Sequence, residues 1–183
     1  MTILGIDAGT PDVAAAEHLI HDLVTMLGPP TLACTHFVRT GRPHVAVTLV
    51  VEPDVQPEQL AEYGVAWGDR RTGPEELAAG ASQAVAEFEA GGGRAVVFAG
   101  SAGIGGVLTV AELVERSAIE QVSVLASPSP AGPEVVLDTR GYLRPERKSG
   151  VLTLAATPGL LPDGSVGLVP FEILDVQACC GGH

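Results

Sequence analysis

Lysine occurs once, at Lys148, and aromatic side chains make up only 4% of the chain. A surface this poor in stacking rings is ill suited to holding RNA bases or the apolar faces of sugars. Cations are scarce in general: ten Lys and Arg stand against 22 Asp and Glu, a formal charge of −12. That average field repels polyanions and no basic stretch offsets it, so nucleic acid is not an expected partner. No uncharged apolar run approaches the roughly 18–20 residues of a spanning helix. No basic segment followed by an apolar one opens the chain either. The expectation is a cytoplasmic protein without a membrane partner. Cysteine numbers three, an odd count that gives no disulfide framework. H-E-x-x-H, G-x-S-x-G and C-x-x-C are all missing, so the motifs leave open whether the chain is an enzyme.

Core-forming material is plentiful. Apolar residues make up 46% of the 183 and charged ones 17%, enough for one domain of ordinary size. Arginine in place of lysine, with much Ala, Gly, Val and Pro, reads as GC-rich bacterial coding. Thr2–Asp7 is a compact apolar strand, and Thr10 or Asp12 is placed to cap a helix. Apolar positions from Val13 to Leu27 recur at steps of three and four, which predicts an amphipathic helix stopped at Gly28. Strands are expected at 31–39 and 43–52, joined as a hairpin. A short helix follows, then a polar connector at Trp67–Gly73, and a second helix within 73–93. Arg94–Gly100 reads as a buried strand, 107–118 as a third long helix, and 120–126 as another strand.

Helical periodicity stops at the Pro/Ser stretch 127–133, and β segments separated by turn residues take over. The fold expected is α/β: a mixed sheet with flanking helices, followed by a C-terminal antiparallel β extension. The divisions are an α/β body at 1–126, a connector at 127–133, a β segment at 134–177 and a Cys/His tail at 178–183.

Two stretches carry soft or phosphate-directed chemistry. The chain ends in Cys179, Cys180, two glycines and His183. Thiolate and imidazole suit zinc, and thiolate suits Cu⁺. A tetrahedral site needs a fourth donor, for which Cys34 and His36 are candidates, because i and i+2 on a strand face the same way. A vicinal disulfide is the redox alternative. His18 and His21, three apart on the first helix, form a second histidine pair. The other stretch is the loop of Gly100, Ser101, Gly103, Gly105 and Gly106. Strand, glycine loop and helix in that order aim amides at a phosphate or small ligand. The spacing is G-x-x-G-x-G-G, neither a dinucleotide fingerprint nor a Walker loop. Arg140, Arg144 and Arg147 gather around one turn and could grip a carboxylate or phosphate.

Two resemblances attach to the first quarter of the chain. "ILGIDAGT" resembles the phosphate-loop opening of the actin and sugar-kinase superfamily, but a helix comes next where that superfamily has a second strand. "GTPDVAAAEHLIHDLVTMLG" and "ACTHFVRTGRPHV" resemble the opening of small sirohydrochlorin-type chelatases. That resemblance implies chelatase activity, yet Asp7-Ala8-Gly9-Thr10 stands where such enzymes carry a metal-handling histidine before the glycine. The leading expectation is a zinc or copper site at the tail, for metal handling, sensing or an accessory role. The alternative is a small-ligand or phosphate-binding enzyme using the glycine loop. The partners expected are a small molecule, a metal ion or another protein, and an oligomer is compatible with both readings.

Overall fold

The computed structural model describes residues 1–52 and 60–173. These form a mixed α/β structure in which twelve strands join one sheet. The strands are β1 (Thr2–Thr10), β2 (Leu32–Val38), β3 (His44–Val51), β4 (Gly64–Trp67), β5 (Arg70–Thr72), β6 (Arg94–Phe98), β7 (Val107–Thr109), β8 (Gln121–Val124), β9 (Val136–Asp138), β10 (Glu146–Lys148), β11 (Val151–Leu160) and β12 (Val166–Pro170). The helices are α1 (Val13–Leu27), α2 (Glu75–Glu89) and α3 (Val110–Arg116). Among the described residues no helix is long and apolar enough to cross a membrane.

The sheet runs β5-β4-β1-β3-β2-β6-β10-β11-β12-β9-β7, with β8 also paired to β11. Inside its first edge strand, β4, β1, β3 and β2 are covered on both faces. Leu4, Ile6, Val45, Val47, Leu49 and Val65 pack with Ala16, Leu19, Ile20 and Leu23 of α1. The alternate positions Ala66 and Ile3 pack with Ala81 and Val85 of α2. This explains the near-continuous apolar wording of β3, His44-Val-Ala-Val-Thr-Leu-Val-Val, since a strand covered on both sides has no polar face. Asp12 caps α1 by accepting from Ala15 N–H at 2.8 Å. Helix α2 comes unusually close to the sheet, because Gly5 and Gly64 present only hydrogen to it. A Cβ on Gly64 would run into the Leu77–Ala78 backbone, and one on Gly5 into the Ala81 carbonyl.

Several local expectations need correction. The stretch Trp67–Gly73 is not a connector: β4 and β5 form a hairpin through Gly68, whose φ of +51° suits a tight turn. Its outer strand is fully exposed and reads as polar because Arg70 and Arg71 guard an edge of the sheet. Nor is 107–118 one long helix. Thr109 and Glu112 form a reciprocal capping box, so α3 starts only at Val110. Residues 146–148 are not part of a turn between β segments: they pair with β11 as β10. The C-terminal strands are not uniformly antiparallel, since β8 runs parallel to β11 and β9 to β12. Hydrogen bonding continues across 127–133, where Ala131 N–H donates to the Val122 carbonyl.

Replacing Gly64 by alanine forces the α2 backbone away from β4. We expect a loss of about 1–3 kcal/mol, the usual penalty of overpacking, read as a lower urea midpoint with an unchanged slope.

Candidate functional site

A cleft opens where β6 begins. Strand β2 pairs with β6 only as far as Thr35 opposite Arg94, and β10 meets β6 at the single position Glu146 opposite Arg94. The last residues of β2 therefore have no strand partner on that edge among the described residues. A cavity of about 490 Å³ takes the place of one. Phe37 from β2 and Val13 from α1 form apolar wall, and Phe37 is 56% exposed. Glu87, Glu146 and Glu172 are the acidic lining, and Arg94 and Arg147 the basic lining.

Both arginines are held by the chain itself. Arg94 donates through Nε to Glu172 at 2.7 Å, through Nη1 to Glu17 at 2.8 Å and through Nη2 to the Tyr142 hydroxyl at 2.9 Å. Arg147 donates to the carbonyls of Phe88 and Gly92 at 2.7 and 3.1 Å, and its guanidinium lies 3.9 Å over the Phe88 ring. It thus covers the carbonyl end of α2, where the helix dipole favours a cation. Behind the cavity Arg144 grips Glu17 with two bonds, Nε at 3.0 Å and Nη2 at 2.6 Å. Burial pushes the Glu17 carboxyl up, but bonds from Arg144 and then Arg94 outweigh it and leave a pKa of about 2. The three arginines at 140–147 do not act together: Arg144 grips Glu17 from α1, Arg140 pairs with Asp138 at 3.0 Å, and Arg147 binds backbone carbonyls.

Cys34 and His36 do share a face, and it is the one under α2. Cys34 is fully buried against Phe88, and burial pushes its thiol up to about 12. His36 is 1% exposed; its Nε2 shares a hydrogen bond of 2.9 Å with the Thr48 hydroxyl. Its Nδ1 has no hydrogen-bond partner among the described residues and lies 3.5 Å from Glu87 Oε2, inside ion-pair range but too long for a hydrogen bond. The imidazole nevertheless holds the Glu87 carboxyl below its ordinary range, against burial that acts the other way.

A second cleft of about 500 Å³ adjoins the first and shares Val13 and Phe37 with it. Arg39 and His44 line it. His44 Nδ1 donates to the Arg42 carbonyl and Nε2 to the fully buried Asp7 carboxylate, both at 2.7 Å. Neither acceptor can donate, so the ring uses both N–H groups, which only the imidazolium has. Burial lowers the His44 pKa, but the Arg42 carbonyl and Asp7 outweigh it and the net shift is upward. Gly80 makes room for this pair, since a Cβ there would strike the Asp7 carboxylate. The sequence reading missed Asp7, His44 and Gly80 as a unit. The available signals were a lone acid inside an apolar strand and a glycine in the middle of a helix.

The other expected sites separate. Cys179, Cys180 and His183 lie outside the described residues. His18 and His21 are exposed on α1. The glycine loop leads into β7 instead of a helix, and the strand before it, β6, has antiparallel neighbours on both sides. Ser101 Oγ accepts from Phe98 N–H at 3.3 Å, and Gly103 N–H donates to the Gly100 carbonyl. Gly100 packs against Arg116 and Ser117, while Gly103, Gly105 and Gly106 face open space. At the start of α3 the amide of Glu112 is taken by Thr109, and that of Thr109 by Glu112. Among the described residues no three His, Cys, Asp or Glu gather as a metal site requires. No family model, curated protein or solved structure matches the chain.

Replacing Glu17 by glutamine leaves Arg94 and Arg144 without their shared counter-charge. We expect a loss of about 2–3 kcal/mol, just below the range for breaking a fully buried pair because Glu17 keeps 14% exposure. The lowered pKa fixes the sign with pH. The contribution is fully present above about 4.5 and is lost as pH falls toward about 2. Wild-type and variant denaturation midpoints should therefore converge across that window.

Proposed function

We propose that the protein binds a small cationic amine in the cleft between β2 and β10. One observation carries this reading: of the three carboxylates lining the cavity Glu172 is tied to Arg94 and Glu146 to Lys148, whereas Glu87 has only a 3.5 Å contact to His36, and both lining arginines are already engaged by Glu17, Glu172 and backbone carbonyls. The remaining field is acidic, and the chain's −12 charge adds to it. Phe37 offers the exposed ring that an ammonium group prefers nearby. The volume of about 490 Å³ is that of a small-molecule site. In this reading the 1–126 body supplies one wall through Phe37 and Glu87, and Glu146 and Glu172, from the division expected at 134–177 beyond the connector 127–133, supply the other. Helices flanking the sheet and strands extending it toward the C-terminus hold those walls apart. The reading makes the protein a cytoplasmic binding module; His44, with both nitrogens engaged, is not available as a base beside this ligand.

Hexylamine and hexanoate separate charge from apolar length. Titrated into ¹⁵N-labelled protein, hexylamine should shift the amides of Phe37, Gly92 and Gly93, and hexanoate at equal concentration should not. Glu87→Gln should weaken the amine by about fivefold, the worth of roughly 1 kcal/mol of exposed ion pairing. Equal responses to both probes, or none at these amides, would overturn the reading.

The carboxyl-terminal Cys179, Cys180 and His183 support an independent second proposal: a zinc or copper site for metal handling, sensing or an accessory role. Its support is the donor set itself, two thiolates and an imidazole. Metal analysis of reduced protein with and without the last five residues tests it. Stoichiometric metal lost on truncation is the expected outcome; identical metal content in both forms would rule it out.

A further inference from the structure

We propose that the bound amine is zwitterionic, an ω-amino carboxylate whose ammonium sits beside Glu87, the lining acid without a close partner, and whose carboxylate meets Arg39 in the adjoining cleft. This inference rests on the amine reading and names the other end of the same ligand. The two cavities share Val13 and Phe37, so one molecule can pass from the first into the second along an apolar wall. Charge reverses along that path. Arg39 is exposed and makes no hydrogen bond or ion pair with any described residue, in contrast to Arg94, Arg144 and Arg147. It is near enough to the acidic end for its charge to act on Glu87. His44 beside it adds a fixed positive charge that Asp7 partly offsets, while its two N–H groups are already used. Arg39 is therefore the group with hydrogen bonds to give a carboxylate, through the planar fork that suits one. Asp12, the acid in this second cleft, already accepts from Ala15 N–H. Val13 and Phe37, which line both cavities, and Pro43 in the second are the apolar surface suited to methylene groups.

Calorimetric titration of the full chain with 4-aminobutanoate, 6-aminohexanoate and 8-aminooctanoate, each against the alkylamine of equal carbon count, tests this. At least one zwitterion should bind about fivefold or more tighter than its amine. Arg39→Gln should abolish that advantage and leave the alkylamine unchanged or slightly tighter. If no zwitterion exceeds its amine, or the advantage survives Arg39→Gln, the inference is overturned while amine binding stands. If neither zwitterions nor alkylamines bind, both proposals fall together, and the amide shifts seen with hexylamine alone distinguish the two cases.

Discussion

The Glu17 carboxylate ties the two halves of the molecule together. It leaves α1, which packs on one face of the first strands, and is met by Arg94 at the start of β6 and by Arg144 from the segment before β10. Two guanidinium groups that close would repel each other without an anion between them. With it they form a compact, neutralised cluster that also takes in Tyr142 and Glu172. Hydrophobic burial sets how much free energy holds each layer, but it is non-directional. The ion cluster has direction. It fixes the position of α1 relative to β6, and hence the width of the gap that β6 leaves beside β2.

That arrangement also decides the chemistry of the gap. By count alone the lining is nearly balanced, three acids against two bases. The balance fails because both bases are used while one acid, Glu87, has no close partner. Arg94 is pointed at Glu17 and Glu172, and Arg147 lies flat on Phe88 and covers the carbonyls at the end of α2. Glu87, by contrast, faces the unsatisfied Nδ1 of His36 at 3.5 Å, a contact too long to discharge it. Field strength at a site depends on which charges lack a close partner, and here that is the Glu87 carboxylate, since Glu172 is tied to Arg94 and Glu146 to Lys148.

The mixed α/β class was legible because it comes from periodicity. The steps of three and four from Val13 to Leu27 and the apolar runs of β2 and β3 are local signals, and local physics decides them. The capping box Thr109-Val-Ala-Glu112 was equally local, but the apolar run around it suggested a longer helix. The β4–β5 hairpin was hidden because an exposed edge strand needs no apolar alternation, so its arginines read as loop. The cleft itself was not legible. It depends on where β6 stops pairing with β2, a register fact involving residues 59 positions apart, Thr35 and Arg94. The soft donors Cys34 and His36 did fall on one face as spacing requires. The sequence could not say that the face was already occupied by Phe88 and α2.

The Asp7–His44 pair shows why proximity of a histidine to a buried acid is not enough to infer catalysis. A general base needs one ring nitrogen free to accept a proton while the other is oriented by the acid. In this chain the second nitrogen donates to the Arg42 carbonyl at the root of the β2–β3 hairpin. Releasing it would strip that carbonyl of its partner and loosen the turn that carries Arg39. The same two bonds that remove His44 from base catalysis make it a stationary charge with a fixed orientation. Its raised pKa means this bracing is complete below the ordinary histidine range and is lost as pH rises through the folded-state value. A brace of that kind suits a wall that must hold its shape around a ligand, and it is built from the residues that a search for reactive groups would single out first.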